Sequence, residues 1–360
     1  MKSINSTITI LCVSLWSFFI NAQTVSNETM QHIYEEIKTP YKYGLVLVPN
    51  TDNKKIDCPT IFREGEIWYM SYIVFNGRGY ETWLAKSLNL LDWETIGRLM
   101  SFNEEDSWDK HQAAGYMALV NTEWGGNYRL EKHHNKYWMS YFGGNTAGYE
   151  AGTLSISLAF TKQHPTKAFE WERFNTPVLT PADKDAGAWE QKTLFKSTVI
   201  EDTKRLTGYR YAMFYNALGT DSVWTERIGI AFSNNMKDWH RYEHNPVLDH
   251  SSGITGDAYL QRIDNLWVMF YFGYNWKDCP GGAFNNFACS YDLLNWTDWK
   301  GEHLLQPSEP YDNVHAHKSC VIKWNGIVYH FYCAVNKKDQ RGIAVATSKD
   351  LGKSTLNFID

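Results

Sequence analysis

Four acidic residues recur at comparable places in a chain built from repeated short strands. Asp57 opens Asp57-Cys58-Pro59-Thr60-Ile61, and Asp257 opens Asp257-Ala258-Tyr259-Leu260. Two more share a phrase, Trp108-Asp109-Lys110-His111 ahead of Leu119 and Trp189-Glu190-Gln191-Lys192 ahead of Val199. Several carboxylates converging on one pocket suit cleavage of a glycosidic bond. One must be protonated to serve the leaving oxygen while another stays ionised, and proximity of like charges raises the pKa of one of them. Taken singly, each acid is also an ordinary strand-end residue; the set of four is what carries the chemistry.

Around these acids stand candidate sugar contacts. Trp108 and Trp189 adjoin acids and offer flat faces for stacking, with packing between sheets as the competing role. His111, Lys196, His315, His317 and Lys318 give the pocket a basic side able to hold a sulfate, a carboxylate or a nucleophilic phosphate, although a solvated strand end explains each lysine equally well. His315-x-His317 has metal-like spacing but no evident third ligand, so no metal site is assigned. No cofactor is expected, and a structural calcium in a central channel is compatible with the sequence. There is no Gly-rich phosphate loop, HExxH motif or GxSxG elbow.

The elements that position these residues are read from an internal repeat. A short apolar strand, a Gly or Asn turn, a strand rich in Trp, Tyr and Met, and a strand of small and apolar residues recur five times. First strands fall near Ile61, Leu119, Val199, Leu260 and Val321, and several copies close on a Trp, such as Trp93, Trp239 and Trp296. Five such antiparallel units predict an all-β, five-bladed β-propeller over residues 43–352. Tyr43 to Val48 is an extra strand available to complete the last unit. Met30 to Lys38 is the one good helix candidate, in an extension over 23–42 outside the ring, and 353–360 form a tail. In such a ring the innermost strand of every blade faces the channel, so the acids and cations above share one funnel. Insertions at Thr122 to Leu130 and Asn145 to Gly152 are expected to shape it.

Of 360 residues, 16 are Trp, 22 Tyr and 18 Phe. The repeat accounts for most of them, because second-strand aromatics such as Trp68, Trp138, Tyr211, Trp267 and Tyr329 occupy equivalent positions. A formal charge of -5 leaves no basic surplus for a nucleic acid partner. Residues 1–22, with Lys2, the apolar run Ile8 to Ile20 and Asn21-Ala22-Gln23, read as a secretory signal too short to span a bilayer, which places the protein outside the cytoplasm, in the periplasm. Five cysteines remain beyond it, Cys58, Cys279, Cys289, Cys320 and Cys333. They read as buried thiols, with a Cys279–Cys289 pair as the alternative.

The five-unit pattern, Asp57-x-Pro59 before an apolar strand and the later acids resemble the five-bladed propeller glycosidases, especially glycoside hydrolase family 43. The pattern is more faintly similar to families 117 and 130. The resemblance implies an exo-acting hydrolase of plant or algal poly- or oligosaccharides working by single displacement with inversion. By motif, it makes Asp57 the general base and Glu190 the proton donor, and leaves Asp109 or Asp257 as the acid that tunes the pair. His317 takes a binding or auxiliary role by similarity to family 117. An inverting phosphorylase and a noncatalytic carbohydrate-binding propeller remain alternatives.

Overall fold

The computed structural model describes residues 24–51, 54–103, 107–167, 169, 171–220 and 224–359; the expected secretory signal lies outside them. Among these residues the chain is nearly all β with one short helix. Helix α1 (Asn27–Ile37) begins earlier than expected because Ser26 caps it, its hydroxyl accepting from the Thr29 amide at 3.2 Å. Met30, Ile33 and Ile37 fall on one face and are buried in the largest hydrophobic cluster. Among the described residues no helix is long and apolar enough to cross a membrane.

The strands follow as β1 (Tyr41–Leu47), β2 (Lys55–Glu64), β3 (Ile67–Phe75), β4 (Tyr80–Ser87), β5 (Glu94–Met100), β6 (Gln112–Met117), β7 (Tyr137–Gly144), β8 (Ser155–Thr161), β9 (Glu172–Arg173), β10 (Thr193–Glu201), β11 (Tyr211–Leu218), β12 (Thr225–Ser233), β13 (His240–Arg241), β14 (Gly253–Ile263), β15 (Leu266–Tyr274), β16 (Phe284–Ser290), β17 (Thr297–Asp298), β18 (His315–Trp324), β19 (Ile327–Val335) and β20 (Arg341–Thr347). Two sheets are simple meanders, β2-β3-β4-β5 and β6-β7-β8-β9. A third runs β1-β20-β19-β18, so the strand ahead of the first meander completes the last. The fourth has eight strands, because the meanders β10 to β13 and β14 to β17 are joined by a parallel pairing of two residue pairs, Thr225 with Gly253 and Glu226 with Ile254.

The repeated closing phrase has a local cause. In Ser87-x-Asn89-Leu90-x-Asp92-Trp93, the Ser87 hydroxyl accepts from the amides of Asn89 and Leu90, and the Asn89 side chain accepts from those of Leu91 and Asp92. The same bonds recur from Ser233 and Asn235 and from Ser290 and Asp292. Leu90, Met236 and Leu293 take φ of 70°, 62° and 70°, which turns the chain back and buries the apolar side chain.

Two departures from regular geometry shape the interior. Four of the five first strands slip register against their neighbours, at Cys58-Pro59, Phe195-Lys196, Asp257-Ala258 and Lys318-Ser319. Such bulges re-aim side chains, and Cys58, Asp257 and Lys318 have φ of 50°, 57° and 61°. The first strand β6 pairs without a shift and presents Tyr116 instead. The other departure is the insertion after β6, which binds the first strand of every other meander. Leu119 N–H donates to the Val199 carbonyl (3.0 Å), Arg63 N–H to that of Tyr128 (2.9 Å) and Arg262 N–H to that of Thr122 (2.7 Å), while Lys323 N–H donates to the Tyr128 hydroxyl (2.9 Å). This segment closes one end of the interior around a void of only about 20 Å³.

Candidate active site

The residues re-aimed by the bulges meet in a cavity of about 210 Å³. From first strands come Cys58, Tyr116, Lys196, Asp257, His315, His317 and Lys318; Glu226 and Arg341 come from the starts of β12 and β20, Asn216 from β11, and Tyr149 with Glu150 from the loop between β7 and β8. That loop is held in shape. The Gly148 N–H donates to the Arg78 carbonyl (2.7 Å), Gln112 Nε2 donates to the Gly148 carbonyl (2.7 Å), and Arg341 donates to the Tyr149 hydroxyl. Gly148 at φ 128° and Glu150 at φ 48° supply the bend that turns the Glu150 carboxylate toward Lys318, 3.9 Å away.

The charges of the site differ sharply in character. Asp57 is fully buried just beneath the cavity wall. Burial alone would raise its pKa, but the cations Lys318 (2.8 Å) and Arg341 (3.6 Å) outweigh that and hold the carboxyl below the usual range. Glu226 has the opposite setting. Burial first, then the charges of Glu150 and Asp257, raise it to about 8, with the Asn216 amide as its hydrogen-bond partner at 3.1 Å. Glu150 is raised too, by burial against the opposing Lys318, with Asp57 and Asp257 adding to it. His315 is lowered to about 4 and His317 well below its ordinary value, chiefly by burial. Both imidazoles are therefore neutral at pH 7. The cations are Lys196, Lys318 and Arg341, and Lys196 Nζ, 4.0 Å from Asp257, has no hydrogen-bond partner among the described residues.

Of the residues singled out in the sequence, Asp257, Lys196, His315, His317 and Lys318 line this cavity, with Asp57 behind Lys318. Asp109, Glu190, Trp108, Trp189 and His111 are not among its lining residues. Asp109 accepts from the Tyr141 hydroxyl (3.0 Å), Arg173 (3.0 Å) and Asn103 (3.1 Å). Glu190 repeats this with Tyr215 (2.9 Å), Arg241 (2.9 Å) and the Gly187 amide (3.2 Å). The placement of Glu190 lends no support to the expected donor role: its carboxylate is bound to a guanidinium and a phenol and does not line the cavity. Trp108 and Trp189 stack on those same tyrosines at 5.6 and 5.8 Å. They also press against Gly143 and Gly229, where a Cβ would come within 2.6 and 2.5 Å of the indoles, so they pack between elements. His111 accepts from Arg78 Nε at 2.9 Å. The five described cysteines are free thiols, Cys279 and Cys289 included.

Asp57, His317 and Cys333 bring ligand-type atoms within 4.8 Å of one another. The ammonium of Lys318 already sits on the Asp57 carboxylate, and His317 Nδ1 faces the Cys333 carbonyl at 3.1 Å, so the cluster is an ion-paired floor rather than a cation cage.

The sequence reading missed Glu226, Glu150, Arg341, Tyr149, Tyr116 and Asn216. A signal for two of them was available. In an antiparallel meander the first and third strands run the same way, so both begin at the same end, and Thr225-Glu226-Arg227 and Arg341 open third strands.

No protein-family model matches the sequence, and a search of curated proteins finds no match. Among solved structures, one described as a glycoside hydrolase is 49% identical over 94% of this chain and 99% of its own, with a TM-score of 0.91. A second, described as a complex with RGII, gives the same figures. A thermostable family-43 glycoside hydrolase shares the fold at 16% identity and a TM-score of 0.59, over 86% of this chain and 95% of its own.

Proposed function

The chain belongs to the glycoside hydrolases, and we propose that it is an exo-acting member that removes one terminal sugar from a plant or algal poly- or oligosaccharide. The observation that carries this reading is Glu226, a buried carboxyl facing the cavity, with its pKa raised to about 8 and a second carboxylate, Glu150, acting on it. A proton donor needs a pKa near the working pH, and its partner must be able to ionise. We assign Glu226 as donor to the glycosidic oxygen. Glu150, beside Lys318, draws a proton from the attacking water, with Asp257 and Lys196 on the sugar's hydroxyls.

A cavity of about 210 Å³ suits one sugar ring, and the closed opposite end favours removal of a terminal residue. Each of the three cations stands within 4.0 Å of a carboxylate, Lys196 of Asp257 and both Lys318 and Arg341 of Asp57. That balance favours water over phosphate as the nucleophile. The five meanders fit five blades of one propeller, the two pairs linking β12 to β14 being a local contact between neighbours. The sequence of residues 1–22 supports export to the periplasm.

Single displacement with inversion is the stereochemical course we adopt. A screen of plant and algal glycans, RGII included, with the product anomer followed by NMR, tests the whole reading. Release of one sugar in the inverted form is expected. Retention would make Glu150 a nucleophile, and strict phosphate dependence would replace hydrolysis by phosphorolysis.

A further inference from the structure

Fifteen of the sixteen tryptophans lie in the described residues, and Trp224 is the one among these that is exposed, at 47%. It stands immediately before β12, two residues ahead of Glu226. In an extended chain residues i and i+2 point to the same face. Glu226 lines the cavity, and for a chain that stays extended through Trp224 the indole falls on the same side, about 6.6 Å further toward the rim. Its ring meets that of Tyr274 edge-on, with centroids 6.4 Å apart and planes at 87°. Tyr274 lines the cavity and in turn meets His315 edge-on at 5.2 Å. A row of rings thus runs from the cavity wall out to an uncovered indole.

We propose that Trp224, braced by Tyr274, forms the subsite for the sugar on the leaving-group side of the scissile bond. The inference rests on the assignment of Glu226 as proton donor. A donor must come within about 2.6–3.2 Å of the glycosidic oxygen. The sugar beyond that oxygen therefore starts at Glu226 and extends away from the closed end, and one strand step further lies the indole. The geometry selects a leaving group with a C–H face that can lie on an aromatic ring, a pyranose rather than a small or flexible alcohol. Tyr149, also exposed and on the cavity wall, is tied to Arg341, which leaves Trp224 as the uncommitted aromatic surface of the two.

The test is calorimetric binding in a Glu226→Gln background, which removes turnover. The probes are the oligosaccharides of the glycan screen and, separately, the free monosaccharide that the enzyme releases, which fills the inner cavity alone. Adding Trp224→Ala is expected to weaken the oligosaccharides at least tenfold and to leave the monosaccharide within twofold, and Trp224→Phe to recover most of the loss. Equal weakening of both probes, or no weakening of the oligosaccharides, overturns the proposal, as does failure of any oligosaccharide to bind more tightly than the monosaccharide. If Glu226→Gln alone keeps full turnover, the donor assignment fails and the subsite proposal that rests on it falls with it; loss of turnover with no Trp224-dependent difference between the probes overturns the subsite alone.

Discussion

Two sets of carboxylates stand out among the described residues, and what separates them is their surroundings: Asp109, Glu190, Asp312, Glu226 and Asp257 are all buried, Asp298 nearly so, and Glu150 is partly exposed. Asp109, Glu190, Asp298 and Asp312 each accept from a tyrosine hydroxyl on a second strand, namely Tyr141, Tyr215, Tyr271 and Tyr332. Each also has a basic partner, respectively Arg173, Arg241, His250 and Lys42. The four tyrosines hold equivalent places in the repeat, so this is one structural device used four times. Glu150, Glu226 and Asp257 instead border a cavity, share their cations unequally, and in Glu226 keep a proton that a carboxyl ordinarily loses. Full pairing makes an acid inert; incomplete pairing beside a void makes it reactive.

Substitution to the isosteric amide should separate the sets most strongly. Glu226→Gln is expected to lower kcat by about 10²–10⁴-fold, the usual contribution of a positioned acid. In the wild type, kcat/KM should fall above about pH 8 as Glu226 loses its proton, and fall again toward acid pH as the Glu150 base gains one. A pH profile with no alkaline limb near that value would sink the donor assignment. Glu226 also has a stability sign that can be checked. Its folded pKa lies above the ordinary 4.5, so between the two values the folded state holds a proton that the unfolded state releases, and stability falls as pH rises. Glu226→Gln removes that cost, and its stability relative to wild type should grow with pH in urea melts.

Glu190→Gln should do the reverse. Removing the charge leaves Arg241 without its most buried partner, a loss of about 3 kcal/mol. Specific activity of the folded fraction should stay within a few-fold of wild type. A kcat loss matching that of Glu226→Gln would erase the distinction between the sets and restore Glu190 to the site.

Much of this contrast could be read in the chain, and the rest could not for definite reasons. The repeat exposed the meanders, and strand-start logic found Asp57, Asp257, Lys196 and Lys318. It also swept in Asp109 and Glu190, since a Trp-acid phrase ahead of a strand looks the same whether the acid faces a cavity or a tyrosine on the second strand. What distinguishes them is Tyr141 and Tyr215, which align with Tyr271 and Tyr332 at one repeated place in the second strands. Glu150 was out of reach: its direction depends on the positive φ of a loop residue and on Arg341 holding Tyr149, neither of which has a local signature.

The smallest effects discriminate the two regions at the level of a single hydroxyl. Tyr141 and Tyr116 are both buried, and burial is the chief cause that raises both phenols. The Tyr141 hydroxyl donates to Asp109, whereas Tyr116 lines the cavity and its hydroxyl has no hydrogen-bond partner among the described residues. Removing a hydrogen bond to a buried carboxylate costs about 2 kcal/mol, while removing an unpaired buried hydroxyl costs nothing and relieves a desolvated group. Tyr141→Phe should therefore lower stability by about 2 kcal/mol and leave kcat/KM unchanged. Tyr116→Phe should leave stability unchanged or slightly raised and lower kcat/KM by about fivefold, the worth of one hydrogen bond to a sugar hydroxyl. Urea melts and initial rates on the same two proteins settle the matter. If Tyr116→Phe destabilises the fold without touching the kinetics, its hydroxyl belongs with the structural set, and the boundary drawn between the two regions is in the wrong place.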